Sequence, residues 1–307
     1  MTFSLSLVTL FSRSRDLGEA TLRQWRLGVE TKGFNALRRS IGLHGEPPPP
    51  CMDPAVSYLP VHGMARQIHA DLPAMLIGGL ASLLLQMNHP AAMAGVEQFS
   101  MYQSDPLGRL FQTAQFIGTT TFGSERDALM VIDTVRAVHE GVSGTTHQGE
   151  RYWANDPRTL LWVHCAETAM FLRAAQLYGP RNLSKAEADA YLGEMARVAV
   201  DLGCAPPPRS EAELFDALES FRPELELSPA GKEARNFVLK GVSKTPREKA
   251  AYATLAAAAV NLLPAWGRES LGIPRLPLGE NVLVRPAALS VCLALRLVVP
   301  GAPTTPE

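Results

Sequence analysis

The stretch Thr134-Val-Arg-Ala-Val-His139-Glu-Gly-Val-Ser143 places one histidine among apolar residues at helical spacing. Ten residues upstream of this stretch, Ser124-Glu-Arg-Asp127 offers an N-cap followed by acidic residues in the first turn. Gly141 and Gly144 then lie where such a helix is expected to end. These signals predict a helix that begins near Ser124 and carries His139 close to its C-terminus.

Helical signals dominate the remainder of the chain, and we find no alternating strand pattern and no βαβ rhythm. Residues 144–154 read as a loop. We therefore expect an all-α fold, a single helical domain of roughly ten or more helices. The other helices predicted in this domain cover about 71–88, 105–117, 157–178, 184–202, 210–221, 245–263 and 284–298, with a short one after Ser228-Pro229.

The two ends of the chain differ from this predicted domain. Residues 1–50 read as a peripheral arm, with a helix over about 16–42 and the polyproline-like break Gly45-Glu-Pro-Pro-Pro-Pro50. Residues 51–299 form the helical domain, and residues 300–307 are expected to be a flexible tail.

Composition narrows the class of protein. Of 307 residues, 46% are hydrophobic and only 19% are charged, which favours a large interior or an apolar pocket. The net charge of −1 and the lack of basic runs argue against nucleic acid as a partner. Four scattered cysteines indicate a reducing compartment, and the longest apolar run is short for a transmembrane segment. We expect a cytoplasmic protein, and whether it forms a homodimer stays open.

Common catalytic motifs do not explain the chain. It contains no Walker A motif, no HExxH and no glycine-rich dinucleotide loop. Gly141-Val-Ser-Gly-Thr145 superficially matches the nucleophile elbow of serine hydrolases, but its last position is threonine and it follows a helix. Nucleotide binding and serine hydrolysis are therefore not the expected activities.

Three histidines could bind a metal. His139 is either a core histidine with hydrogen-bond partners or a ligand of iron. His164, in Trp162-Val-His164, either packs between helices or contributes to a site. His89, in Asn88-His89-Pro90, reads as a helix-terminal histidine bonded to backbone. Ligands can come from different helices, so a centre made of all three histidines is a further alternative.

Arg109 and Thr113 lie one helical turn apart and so share a face. An inward-pointing guanidinium needs an anion, because an unpaired buried charge is costly. The anion is either a protein carboxylate, such as Asp105 or Asp156, or the carboxylate of a cofactor. Tyr152 is most simply a packing aromatic residue.

The order of these elements resembles a known family. Successive pieces are Leu83-Leu-Leu-Gln-Met-Asn-His89-Pro90, Asp105-Pro-Leu-Gly-Arg109-Leu-Phe-Gln-Thr113, the His139 segment, Tyr152-Trp-Ala-Asn-Asp156-Pro157 and Trp162-Val-His164. Over about residues 60–275 the chain is similar to the oxygenase family of the latex clearing protein (rubber oxygenase) and the fungal endoplasmic-reticulum-bound oxygenase of mycophenolic acid synthesis.

The resemblance implies an all-helical, partly globin-like fold around a cofactor pocket. Characterised members hold haem b on one histidine and use O2 to split an isoprenoid double bond. Carried over by position, His139 would bind the haem iron, and Arg109 and Thr113 would lie near the haem as catalytic groups. His164 and Tyr152 would support the cofactor.

The chain departs from the rubber-cleaving members at two positions. Ser143 stands where those enzymes have an arginine, and Gln112 stands where they have a lysine. Polyisoprene is therefore not the expected substrate.

These observations predict a haem-b-dependent oxygenase that uses O2 on an apolar small molecule, isoprenoid or polyketide-like. Two alternatives stay open: a non-haem metal enzyme with a histidine-rich site, and a helical protein that binds a lipid-like ligand without a cofactor.

Overall fold

A computed structural model describes residues 50–100, 106–241, 245–274 and 279–298. Within these ranges, the side chains of 106–111, 247, 281 and 298 are not described. Residues 1–49 of the arm expected at 1–50, and all of the tail expected at 300–307, lie outside the described residues. Within the described ranges, no helix combines the length and the apolar character needed to cross a membrane.

The described chain is all-α, with twelve α-helices and one two-stranded sheet, as the sequence predicts. Nearly every helix found in the sequence is present, with ends within a few residues of those expected. The α-helices are α1 Met64–His69, α2 Leu72–Gln86, α3 Pro90–Phe99, α4 Pro106–Phe122, α5 Glu125–Glu140, α6 Pro157–Tyr178, α7 Lys185–Asp201, α8 Glu211–Phe221, α9 Pro229–Lys240, α10 Pro246–Leu262, α11 Ala265–Ser270 and α12 Arg285–Val298; a 3-10 turn spans Arg222–Glu224 and a π-helical turn spans Glu280–Val284.

The pair formed by α2 and α6 is the centre of the core, and α10 packs on the same apolar helix α2. Gly78 of α2 faces Met170 and Phe171 of α6, and the Trp162 indole N–H of α6 donates to the Gln86 carbonyl at 3.2 Å. The two helices therefore run antiparallel. At Gly78, an added Cβ would lie 2.8 Å from the Phe171 ring and 3.1 Å from the Met170 carbonyl, so glycine permits the close approach.

Local capping sets several helix ends as the sequence indicates. Ser124 and Asp156 accept N–H groups in the first turns of α5 and α6. Ser184 forms a full capping box at the start of α7. The start of α8 has only half of one: Ser210 accepts the Glu213 N–H, but the Glu213 carboxylate accepts from the Arg209 N–H instead.

Several elements differ from the sequence prediction, among them the short helices α1 and α11, which were not predicted. Residues 144–154 are not simply a loop, because Ser143–Thr145 (β1) pairs antiparallel with Arg151–Trp153 (β2). The strands are too short to show alternation, and Gly149 closes the turn with a φ of 86°. Helix α3 was also not predicted, because Pro90 reads as the end of the preceding helix, whereas it begins the next one.

The Gly78 contact gives a test of the α2–α6 packing. Gly193 also lies inside a long helix, but nothing lies within 4 Å of a Cβ built on it. We expect Gly193→Ala to raise the free energy of unfolding by about 0.5–1 kcal/mol through helix propensity. Gly78→Ala should lower it by about 1–3 kcal/mol, because α2 and α6 must move apart. Denaturant unfolding measures both, and equal effects would contradict the packing.

Candidate active site

Helices α4 and α5 form a hairpin that carries His139 near its end. They pack on each other, and α4 packs on α1. Only the first half of α5 enters the core, through Ala128 and Ile132. His139 is half-buried, and its neighbour Val138 is 60% exposed. The apolar spacing suggested a core histidine, but none of residues 133–140 is buried, so His139 lies in a partly exposed part of α5.

Arg109 and Thr113 both lie in α4, as the sequence predicts. The Arg109 side chain falls outside the described part of the chain, so its partner stays a prediction. Thr113 is half-buried. Of the two protein carboxylates considered for Arg109, Asp105 lies outside the described residues. Asp156 caps α6, with its carboxylate 2.7 Å from the Thr159 N–H.

Tyr152 belongs to the hairpin that follows His139, and it packs under α3. Its ring is buried, and its hydroxyl donates to the Gln98 side chain at 3.0 Å. At the hairpin turn, His147 and Gln148 both contact the Glu226 carboxylate. These contacts attach the hairpin to α3 and to the segment before α9. Tyr152 therefore holds the chain segment that leaves α5; direct contact with a cofactor stays a prediction.

His89 is a helix-terminal residue, as expected, and its Nδ1 accepts the Ala92 N–H in the first turn of α3. Its ring stacks on Trp162, and burial lowers its pKa. Among the described residues, no group of three or more His, Cys, Asp or Glu side chains is arranged to hold a metal ion. The centre made of His89, His139 and His164 is therefore wrong for the described residues.

His164 is enclosed deep in the protein, on the second turn of α6. Its Nε2 atom is covered by protein atoms and has no hydrogen-bond partner among the described residues. Burial lowers the pKa of the imidazole to about 4, so the ring is neutral at pH 7. Buried side-chain nitrogens nearly always have a partner. The core-histidine interpretation, which requires satisfied hydrogen bonds, does not fit this atom.

Glu167 lies one turn further along α6, on the same face as His164. Burial raises the pKa of its carboxyl group from about 4.5 to about 7, although the residue stays partly accessible. No described residue forms a hydrogen bond or ion pair with it. Our sequence reasoning missed Glu167. A single acidic residue in the apolar run Trp162-Val-His-Cys-Ala-Glu-Thr-Ala-Met-Phe171 was the signal available.

A second buried polar group lies nearby and is fully satisfied. His69 of α1 makes hydrogen bonds to the Thr121 hydroxyl at 2.8 Å and to the Tyr191 hydroxyl at 3.1 Å. Tyr191 is close enough to Glu167 for the charge of that carboxylate to raise the tyrosine pKa. Neither His69 nor Tyr191 stood out in the sequence, because each lies alone in an ordinary helical pattern.

The helices that carry these groups also present apolar faces that the core does not fully cover. Leu83, in the last turn of the core helix α2, is 40% exposed, and Leu76 and Leu80 on the same face are half-buried. Phe116 and Ile117 of α4 are half-buried in the same way. Such surfaces suit an apolar ligand better than water.

A comparison with protein families identifies the chain. The model described as "ER-bound oxygenase mpaB/B'/Rubber oxygenase, catalytic domain" matches residues 66–292. The chain belongs to this oxygenase family. Neither the curated proteins nor the solved structures include a significant match. Membership supports an oxidoreductase that uses O2 on a small molecule, and the matched range covers every candidate site residue named above.

The unpartnered Nε2 of His164 gives a prediction for this oxygenase. His164→Phe should leave the free energy of unfolding of the cofactor-free protein unchanged, or raise it by about 1 kcal/mol, because no hydrogen bond is lost. His69→Phe makes the same change of ring where both ring nitrogens have hydrogen-bond partners, and should lower the free energy of unfolding by about 1–3 kcal/mol. Urea unfolding at pH 7 measures both. A comparable loss in the two variants would show that His164 is an ordinary core histidine.

The raised pKa of Glu167 gives a second prediction. The folded-state pKa lies above the unfolded value. The carboxyl therefore leaves the free energy of unfolding unchanged below about pH 4.5 and lowers it progressively as the pH rises to about 7. Glu167→Gln removes this cost. The stability of the variant relative to the parent should therefore grow between pH 4.5 and 7, by on the order of 2–3 kcal/mol, and then level off. A difference that does not change with pH would contradict the buried carboxyl.

Proposed function

We propose that this chain is a haem-b-dependent oxygenase that uses O2 on an apolar small molecule, isoprenoid or polyketide-like. The observation that carries the proposal is the partly accessible His139 imidazole near the end of α5 in a chain of this oxygenase family. Apolar faces on α2 and α4 that stay accessible support it further.

The donor set fits haem better than a bare metal ion. A bare ion needs several protein ligands at one place, and the described residues offer no such group. Haem iron needs only an axial ligand from the protein, because the porphyrin supplies the ligands in its plane. The axial ligand could come from the half-accessible imidazole of His139 at the end of α5. The neutral imidazole of His164 on α6 and the apolar side chains of α2 and α4 also suit a haem pocket.

His139 would hold the iron, as the family resemblance implies. Arg109 would pair with a haem propionate, and Thr113, one turn away on α4, would assist by a hydrogen bond. Tyr152 would not contact the haem. Its hydrogen bond to Gln98 anchors β2 to α3, and this contact would hold in place the segment that follows His139. Haem supplies the O2 chemistry when it is bound.

The rest of the site would select the substrate. Leucines of α2 and aromatic or aliphatic side chains of α4 would bind apolar groups and exclude water. Ser143 and Gln112 replace the arginine and lysine of rubber-cleaving members, so the polar groups facing O2 would differ from theirs. We infer a substrate smaller than polyisoprene.

An absorption spectrum tests the haem assignment. The full chain, produced with a haem precursor, should show a Soret band that His139→Ala abolishes, because the axial ligand is lost. His147→Ala is the matched control: it removes a histidine at the hairpin turn that contacts Glu226, and should leave the band intact.

Two outcomes would overturn the proposal. One is a flat spectrum under full haem supply and after addition of haemin to the purified protein. The other is a Soret band that His139→Ala and His147→Ala leave equally strong.

A further inference from the structure

Two polar side chains on one face of α6 have no partner among the described residues. His164 and Glu167 are one helical turn apart, and burial lowers the pKa of the imidazole and raises the pKa of the carboxyl group. Among the described residues, the covered Nε2 atom of His164 has no hydrogen-bond partner, and no hydrogen bond or ion pair is formed by the partly accessible Glu167. Burying an unsatisfied polar atom such as this Nε2 is costly, so its position one turn from a partly accessible carboxyl group needs a reason.

The surrounding core shows that the fold can satisfy buried polar groups at this depth. His69 bonds to both the Thr121 and the Tyr191 hydroxyls, and Glu194, one turn along α7 from Tyr191, accepts the backbone N–H groups of Met64 and Ala65. The fold therefore leaves the His164 Nε2 without a partner although it satisfies other polar groups close by; Ser100 Oγ and Arg268 Nε are the other buried side-chain atoms without one among the described residues.

The protonation state of the pair defines what it can bind. With a pKa of about 7, the Glu167 carboxyl is largely protonated in mildly acidic to neutral solution and then both donates and accepts a hydrogen bond. The neutral imidazole beside it likewise has one donor and one acceptor. Part of Glu167 remains accessible, which leaves it in reach of a bound molecule.

We propose that Glu167, backed by His164, binds the neutral oxygen of the substrate, a hydroxyl or carbonyl group, within an otherwise apolar site. The inference rests on the proposed function and deepens it, because it assigns the substrate class: isoprenoid-like alcohols, aldehydes or ketones rather than pure hydrocarbons.

Charged ligands fit this pair less well. A ligand carboxylate would place a negative charge beside Glu167, and no described cation contacts either side chain to offset it. An ammonium group would have to ionise Glu167, and a buried ion pair rarely repays the cost of removing both charges from water. A neutral oxygen satisfies the unpartnered groups without creating a charge.

Ligand binding to the full chain tests the proposal. The probes are citronellol, citronellal, citronellate, citronellylamine and the parent hydrocarbon, which share one apolar skeleton. Calorimetry gives Kd for the wild type, Glu167→Gln and Glu167→Leu. Glutamine copies the donor and acceptor of a protonated glutamate, whereas leucine copies only its bulk. Both variants remove a buried carboxyl and should fold, which circular dichroism verifies.

We expect the wild type to bind citronellol or citronellal about tenfold more tightly than the hydrocarbon, a difference of about 1.4 kcal/mol. Glu167→Gln should keep this preference, and Glu167→Leu should lose it without weakening hydrocarbon binding. Three results would overturn the proposal: no preference for the neutral oxygen, a preference for citronellate or for citronellylamine, or binding of none of the probes.

The Soret band separates this test from that of the proposed function. If citronellol binds through Glu167 but no haem band forms, the haem assignment fails and the oxygen-binding pair stands. If the band forms and Glu167→Leu binds citronellol as well as the wild type, the pair fails and the haem assignment stands.

Discussion

The close packing of α2 on α6 is the constraint on which the described structure depends. Gly78 brings the two helices together at Phe171, and the Trp162 indole joins α6 to the end of α2. Because α6 is held along most of its length, it can carry polar groups that no partner satisfies. Stability supplied by apolar packing offsets their cost, as at many functional sites.

The polar groups of the core divide into two kinds. Around His69 every described polar contact is made, and the result is a rigid link between α1, α4 and α7. On α6, the Nε2 of His164 and the Glu167 carboxyl lack partners among the described residues. The difference is geometric, since the Thr121 and Tyr191 hydroxyls reach His69 and no described residue reaches the His164 Nε2. We take this contrast as the mark of a binding surface in an oxygenase-family chain.

Local rules were enough to predict most of the helices. Ser124, Asp156 and Ser184 each begin a helix because a side-chain oxygen satisfies an N–H group in the first turn, and that interaction involves residues close in sequence. The same rules failed where one residue serves two elements. Pro90 ends one apolar run and begins α3, and the β1–β2 hairpin is too short to show a period.

By itself, the sequence determined the all-α class, the positions of most helices and the family to which the chain belongs, because capping, periodicity and motif order are local or linear properties. Only the tertiary structure decided that His139 is half-accessible, that His164 lacks a partner and that Glu167 belongs beside it. Burial and hydrogen-bond satisfaction depend on which distant helices surround a side chain. His69 and His164 look alike in sequence, yet Thr121 and Tyr191 reach only the first.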